Sequence, residues 1–124
     1  MGGAIMASKT PSASELFSLL DEIAHILREI GLNTERPTDA AMASTAPFCF
    51  DTLAFHAWLE WVFLPRMQQT IEQERNLAAP CNIAPLAEYQ FATYAEPTHH
   101  LLALLTELDT QINAYFHLPM ENQK

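Results

Sequence analysis

Leucine and isoleucine recur at steps of three and four through Leu16, Leu20, Ile23, Leu27 and Ile30, and Leu19 and Ile26 widen the stripe. A 3.6-residue period of this kind marks an amphipathic helix with one wide buried face. It predicts a helix over residues 13–30. Ser12 and Glu15 have the spacing of a capping box, which satisfies orphan N–H groups at a helix start. Gly31 is a natural stop. Asp21, Glu22, Arg28 and Glu29 fall on the solvated side. A second stripe, Leu101, Leu104, Leu105, Leu108 and Ile112, predicts a last helix opened by Pro97 and running to about Phe116.

The middle of the chain is less regular. Residues 33–47 read as a connector in which Thr38 caps a short helix over 39–43, ended by Ser44-Thr45-Ala46-Pro47. Asp51 or Thr52 is expected to cap the next helix, which should reach about Glu74. Phe55-His56-Ala57-Trp58-Leu59-Glu60-Trp61-Val62-Phe63-Leu64 is apolar around almost its whole circumference, as in a helix central to its bundle. A helix is preferred to a strand because the polar tail Gln68–Arg75 follows without a turn signal. Pro65 lacks an N–H and clashes with the preceding turn, so a kink or break is expected there. Pro85 fits the first turn of a helix over 85–94. Its buried side would be Leu86, Tyr89 or Gln90, and Ala92 or Thr93, with Phe91 as a further anchor. The pattern therefore predicts an all-α fold, a small bundle of four to five helices with the central helix kinked near Pro65. It forms a single domain over 14–117, flanked by a disordered segment 1–13 and a frayed tail 118–124.

Composition narrows this picture. The 124 residues suit one domain, and a 49% hydrophobic content is enough for a core. Only 3 glycines accompany 8 prolines, which disfavours a hairpin-rich β protein with its need for positive φ. The formal net charge of -9 comes from 15 Asp+Glu against 6 Lys+Arg. Nucleic-acid affinity draws largely on cations that neutralise phosphates, so direct nucleic-acid binding is not expected, nor is docking on an anionic membrane. The charge first serves to keep the protein soluble, and second would favour a basic protein partner. The first ten residues lack a basic n-region followed by an apolar run. The stretch Phe48–Leu64 is broken by Asp51, His56 and Glu60, so it is no membrane span. A cytoplasmic protein is expected, with Cys49 and Cys81 both reduced.

Few residues suggest chemistry. The histidines include no HExxH pattern and no Cys/His cluster, so neither a metal nor another cofactor is expected. His56 and Glu60 are four apart and can share a helix face, while His99 and His100 point to different sides. Cys49 and Cys81 have no basic residues beside them in sequence to favour a thiolate. Asp51, before a helix, reads as a cap rather than a catalytic acid. Trp58 and Trp61, at helical spacing, read first as core and second as a stacking surface. Arg66, just past Pro65, would form a structural ion pair or a fork for a carboxylate or other anion in a cleft at the kink.

The run Pro47-Phe48-Cys49-Phe50-Asp51-Thr52-Leu53-Ala54-Phe55, continued by Trp58-Leu59-Glu60-Trp61-Val62-Phe63-Leu64-Pro65-Arg66-Met67, closely resembles the bacterial YqcC-like family. Cys81-Asn82-Ile83-Ala84-Pro85 followed by Ala87-Glu88 resembles a second stretch of it, and the similarity extends over about residues 15–112. The resemblance implies a small α-helical bundle of bacterial, cytoplasmic proteins without an established activity. Some members carry a label linking them to tRNA pseudouridine synthase C, and the resemblance supplies no catalytic residue. A non-catalytic protein-interaction module is expected, linked to tRNA modification through a partner, with no catalytic residue of its own. The surface would include Trp58, Trp61, Arg66 and Met67. The partner would be another protein or a second copy of the chain, forming a homodimer. The alternative is a binding module for a small or acidic ligand, in a pocket near Arg66 and the two tryptophans.

Overall fold

Ser12 Oγ accepts the Glu15 N–H at 3.1 Å while Glu15 Oε1 accepts the Ser12 N–H at 2.9 Å, closing the expected capping box. In the computed structural model, which describes residues 10–77 and 79–118, this pair opens α1 (Ala13–Glu29). The helix ends as its sequence dictates. Gly31 takes φ +84, the Leu32 N–H reaches the Leu27 carbonyl at 2.8 Å, and the Gly31 N–H reaches Arg28 at 3.2 Å. That is a Schellman stop, in which a left-handed glycine satisfies the last carbonyls. Leu16, Leu19, Leu20, Ile23, Ile26 and Leu27 are all buried. The expectations for residues 1–9 and 119–124 lie outside the described residues.

Thr38 Oγ1 accepts the Ala41 N–H at 3.1 Å and caps α2 (Asp39–Met42). A 3-10 turn, Pro47–Cys49, follows. Here the structure departs from the pattern. Asp51 and Thr52 do not cap the next helix: Ser44 donates its hydroxyl to Asp51 Oδ1 at 2.6 Å, and Thr52 donates to the Ala41 carbonyl at 2.7 Å. The cause is an extra turn. Phe48 and Cys49 adopt φ +54 and +52, and the Cys49 carbonyl then receives both Thr52 and Leu53 N–H. The helix therefore starts only at Phe55, behind Ala54, without a side-chain cap.

The central helix runs from α3 (Phe55–Trp58) through a π-helical stretch, Leu59–Phe63, into α4 (Leu64–Glu72). Pro65 explains the irregularity. It has no N–H for the Trp61 carbonyl four residues back, and its ring would clash with that carbonyl. The chain widens instead. The Leu64 N–H reaches back five residues to the Leu59 carbonyl, and the helix passes the proline without breaking.

The next helix, α5 (Ile83–Phe91), begins two residues before Pro85 and buries Ile83, Ala87 and Phe91. Tyr89, a candidate for its buried side, is 78% exposed. The earlier start rotates the buried row onto steps of four. The last helix, α6 (His99–Tyr115), buries its whole predicted stripe, and also Asp109 and Asn113.

Helix α6 packs against α1 and α5, and α4 packs on α1. Leu16, Ile23, Leu27, Leu59, Leu105 and Leu108 belong to one core cluster and have no exposed surface. Each such side chain contributes about 1.5–3 kcal/mol of hydrophobic stabilisation. The fold is all-α, and no strand occurs among the described residues. No helix among them is long and apolar enough to cross a membrane.

Candidate functional site

An apolar groove of about 380 Å³ opens beside the central helix. The π stretch and α4 supply Phe63 and Met67, α5 supplies Leu86, and the linker between these helices supplies Leu77. Phe48 and Trp58 complete it, their rings meeting edge to face at 5.1 Å. Trp58 also contacts Phe55 and Phe63, so its ring is the hub of an aromatic cluster. Phe48 stays 42% exposed and Phe50, two residues on, is 70% exposed. Left-handed backbone at a bulky residue costs about 1–3 kcal/mol and persists only where its surroundings enforce it. Enforcement comes from the Ser44–Asp51 and Thr52–Ala41 bonds and from Cys49 Sγ, which donates to the Met42 carbonyl at 3.6 Å. These ties hold Phe48 and Phe50 outward.

A second cleft, of about 620 Å³, lies between α1, α2 and the central helix, with Trp61, Pro65 and Arg66 on its wall. Glu60 Oε1 accepts the Thr34 N–H at 2.9 Å, and Trp61 Nε1 donates to Thr34 Oγ1 at 3.0 Å. The connector thus covers the Trp61 side of the central helix. Asp21, Glu60 and Glu72 also line this cleft, three carboxylates against the single guanidinium of Arg66. Arg66 is exposed and forms no ion pair among the described residues.

The buried ionisable groups are occupied by structure. Asp109 Oδ1 accepts the Ile83 N–H at 2.9 Å and the Cys81 thiol at 3.1 Å, and Oδ2 accepts the Ala84 N–H at 2.9 Å. One turn on, Asn113 bonds the Cys81 N–H at 2.7 Å and the Cys81 carbonyl at 2.9 Å. This clamp caps α5 from another helix. Desolvation, and then the neighbouring Asp109 carboxylate, push the Cys81 thiol pKa up, away from a reactive thiolate. Both cysteines are free and buried. His56 Nδ1 meets Tyr94 Oη at 2.8 Å, and burial lowers the His56 pKa despite the opposing pull of Glu96 and Glu60. His56 and Glu60 therefore have different partners and form no common site. Among the described residues no three His, Cys, Asp or Glu side chains are grouped to hold a metal.

A family model, DUF446, described as tRNA pseudouridine synthase C, matches residues 15–111. The chain belongs to this family. An uncharacterized protein of Haemophilus influenzae is 32% identical over 95 residues, or 76% of this chain and 89% of the relative. The uncharacterized protein YqcC of Escherichia coli is 33% identical over 75 residues, 60% of this chain and 69% of YqcC. The solution NMR structure of Escherichia coli YqcC superposes with a TM-score of 0.70 at 28% identity, covering 90% of this chain and 95% of that one. A tRNA pseudouridine synthase C of Pectobacterium carotovorum is 48% identical over 41 residues, which are 33% of this chain but 11% of that longer protein. The YqcC-like resemblance of the sequence thus holds through both family and fold.

In this DUF446 chain the four residues singled out on the central helix are divided between the two clefts. Trp58 and Met67 are buried in the core and show one edge to the apolar groove. Trp61 is half-buried in the acidic cleft, and Arg66 is exposed at its mouth. The sequence pattern missed Phe48 and Phe50 as individual surface residues, and it missed the Asp109–Asn113 clamp. Asp109 and Asn113 follow Leu101 and Leu105 at successive steps of four, so polar residues continuing an apolar row were the available signal.

Proposed function

We propose that this chain is a non-catalytic protein-interaction module that serves tRNA modification through a partner. The observation that carries this reading is the apolar groove walled by the part-exposed Phe48, with Phe50 exposed two residues on. Large aromatic side chains kept in water by a strained turn cost stability, and interfaces draw on such residues as anchors. Support for the absence of catalysis comes from the occupied state of Asp109, Cys81 and His56, each bonded within the fold. Support for the tRNA link comes from the Pectobacterium tRNA pseudouridine synthase C, part of which is similar to part of this chain. A cytoplasmic location belongs to the same reading.

The test is reconstitution. The purified chain, mixed with the tRNA pseudouridine synthase C encoded in the same genome, should co-elute with it in size-exclusion chromatography. Phe50→Ser should abolish co-elution while leaving the circular dichroism unchanged. Separate elution of the wild-type chain and the synthase at micromolar concentration would refute the partner link.

A second reading, a pocket for a small acidic ligand, is favoured by Arg66, which has no ion pair among the described residues and lines one cleft with Trp61. Its weakness is electrostatic, since Asp21, Glu60 and Glu72 face the same space. A thermal shift with phosphate or a dicarboxylate that vanishes in Arg66→Ala would favour it over the first.

A further inference from the structure

We infer that the groove between Phe48, Phe63, Met67, Leu77 and Leu86 receives an amphipathic helix of a basic partner, with apolar anchors seated in the groove and lysines or arginines along its flanks. The inference rests on the interaction-module reading and names the site and the chemistry of its occupant.

Three observations select this occupant. The lining is almost wholly apolar, and Phe63, Leu77 and Leu86 are each only half-buried, so the groove offers side-chain pockets rather than hydrogen-bonding groups. An extended strand would need free backbone donors and acceptors along a sheet edge, whereas a helix satisfies its own backbone and presents a row of apolar anchors. The third observation is charge. The exposed charges within three positions of the lining in sequence are Asp51, Glu74 and Glu88 against Arg66 and Arg75, a slight acidic excess, and the chain as a whole carries -9. A second copy would bring another -9 to the same face, and like charge across an interface opposes association. A cationic helix gains both the apolar contact and the field, which also speeds its encounter.

Phe48 forms the outer wall of the groove. It is 42% exposed, touches Trp58 only edge-on, and belongs to the turn tied down at Ser44, Asp51 and Thr52 rather than to a helix.

The test uses a synthetic 14-residue helix with leucines at i, i+3, i+4 and i+7 spacing and lysines elsewhere, alongside its counterpart with glutamates for lysines. The expected result is micromolar binding of the lysine peptide with a change in tryptophan fluorescence, and at least tenfold weaker binding of the glutamate peptide. Leu86→Glu, on the half-exposed face of α5, should weaken the lysine peptide at least tenfold although it adds an attractive charge. Phe48→Asp should do the same. Unchanged affinity in both variants would overturn the groove, because attachment would then be electrostatic and elsewhere. Equal affinity for both peptides would overturn the basic partner. A wild-type dimer in sedimentation that Leu86→Glu dissociates would overturn it in favour of a second copy. The module reading fails separately. If the synthase co-elutes equally with wild type, Leu86→Glu and Phe48→Asp, the groove falls and the module stands. If the peptide behaves as expected and the synthase does not co-elute, the groove stands and the tRNA link falls.

Discussion

Cys81 donates its thiol hydrogen to the carboxylate of Asp109, 28 positions further along the chain, across 3.1 Å. The same carboxylate oxygen takes the Ile83 N–H, so a side chain of α6 holds the start of α5 and the linker before it in one place. The groove wall at Cys81, Ile83 and Leu86 depends on that hold. Asp109→Ala would leave the Ile83 and Ala84 N–H groups without their carboxylate partner. An orphaned buried donor costs about 1–3 kcal/mol, so the substitution should lower unfolding free energy by about 3 kcal/mol. Urea denaturation measures it. A loss no larger than that of an exposed control such as Thr110→Ala would show the clamp to be dispensable.

The thiol gives a pH signature. Burial and Asp109 raise the Cys81 pKa in the folded chain, while an unfolded thiol ionises near its ordinary value of about 8.5. Above that pH the unfolded state has lost a proton that the folded state retains, so stability falls as pH rises. It is fully present below the unfolded pKa. Melting temperatures between pH 8 and 10 should decline in the wild type and decline less in Cys81→Ala. Parallel slopes would count against the assignment.

His56 gives the opposite sign. Burial lowers its pKa from the ordinary value of about 6.5, against the pull of Glu96 and Glu60, and Nδ1 lies 2.8 Å from Tyr94 Oη. Acid protonates the unfolded histidine first, so stability falls as pH drops below about 6.5. His56→Gln should flatten this limb of the stability curve. Tyr94→Phe should leave a steep limb, because desolvation rather than the hydroxyl leads the shift. A wild-type curve level from pH 7 to 5 would refute both statements.

Much of the architecture was legible because it is local. The stripes of α1 and α6, the Ser12–Glu15 box, the Gly31 stop and the Thr38 cap each lie within a few residues of the feature they produce. What escaped is what distant residues decide. Asp51 looked like a cap because a helix followed, but Phe48 and Cys49 turn left-handed and delay that helix to Phe55. The start of α5 is fixed by Asp109, 26 residues away, so no local signal around Pro85 could give its register. The groove is likewise assembled from four separate segments. The pattern pointed to the central helix as the functional region, but not to Phe48 and Leu86 as the facing walls.

Trp58 and Arg66 should separate core from surface. Trp58 is 8% exposed and touches three phenylalanine rings. Trp58→Ala should cost about 3–5 kcal/mol. Arg66 is exposed without an ion pair among the described residues, so Arg66→Ala should change stability by less than about 0.5 kcal/mol. Comparable losses in the two variants would mean that Arg66 has a structural partner.

Bare tRNA should not bind at physiological salt. Of the 6 cations, Lys9 and Lys124 lie outside the described residues, and Arg36 pairs with Asp39 at 3.0 Å. The remaining three are spread over two elements: Arg28 ends α1, while Arg66 and Arg75 lie on and just after α4. The cleft that contains Arg66 also contains Asp21, Glu60 and Glu72. Phosphate binding gains affinity by releasing counterions from several neutralised phosphates at once, which requires cations in a row. A chain at -9 instead repels the backbone over most of its surface. A mobility-shift assay should show free tRNA at 150 mM salt, about physiological, with protein up to about 100 micromolar. A complex at about 10 micromolar or tighter would refute the charge argument. The interaction-module reading makes the complementary statement: tRNA should shift together with this chain only when a basic synthase is present to bridge them, and Phe50→Ser should remove the chain from that complex without removing the synthase.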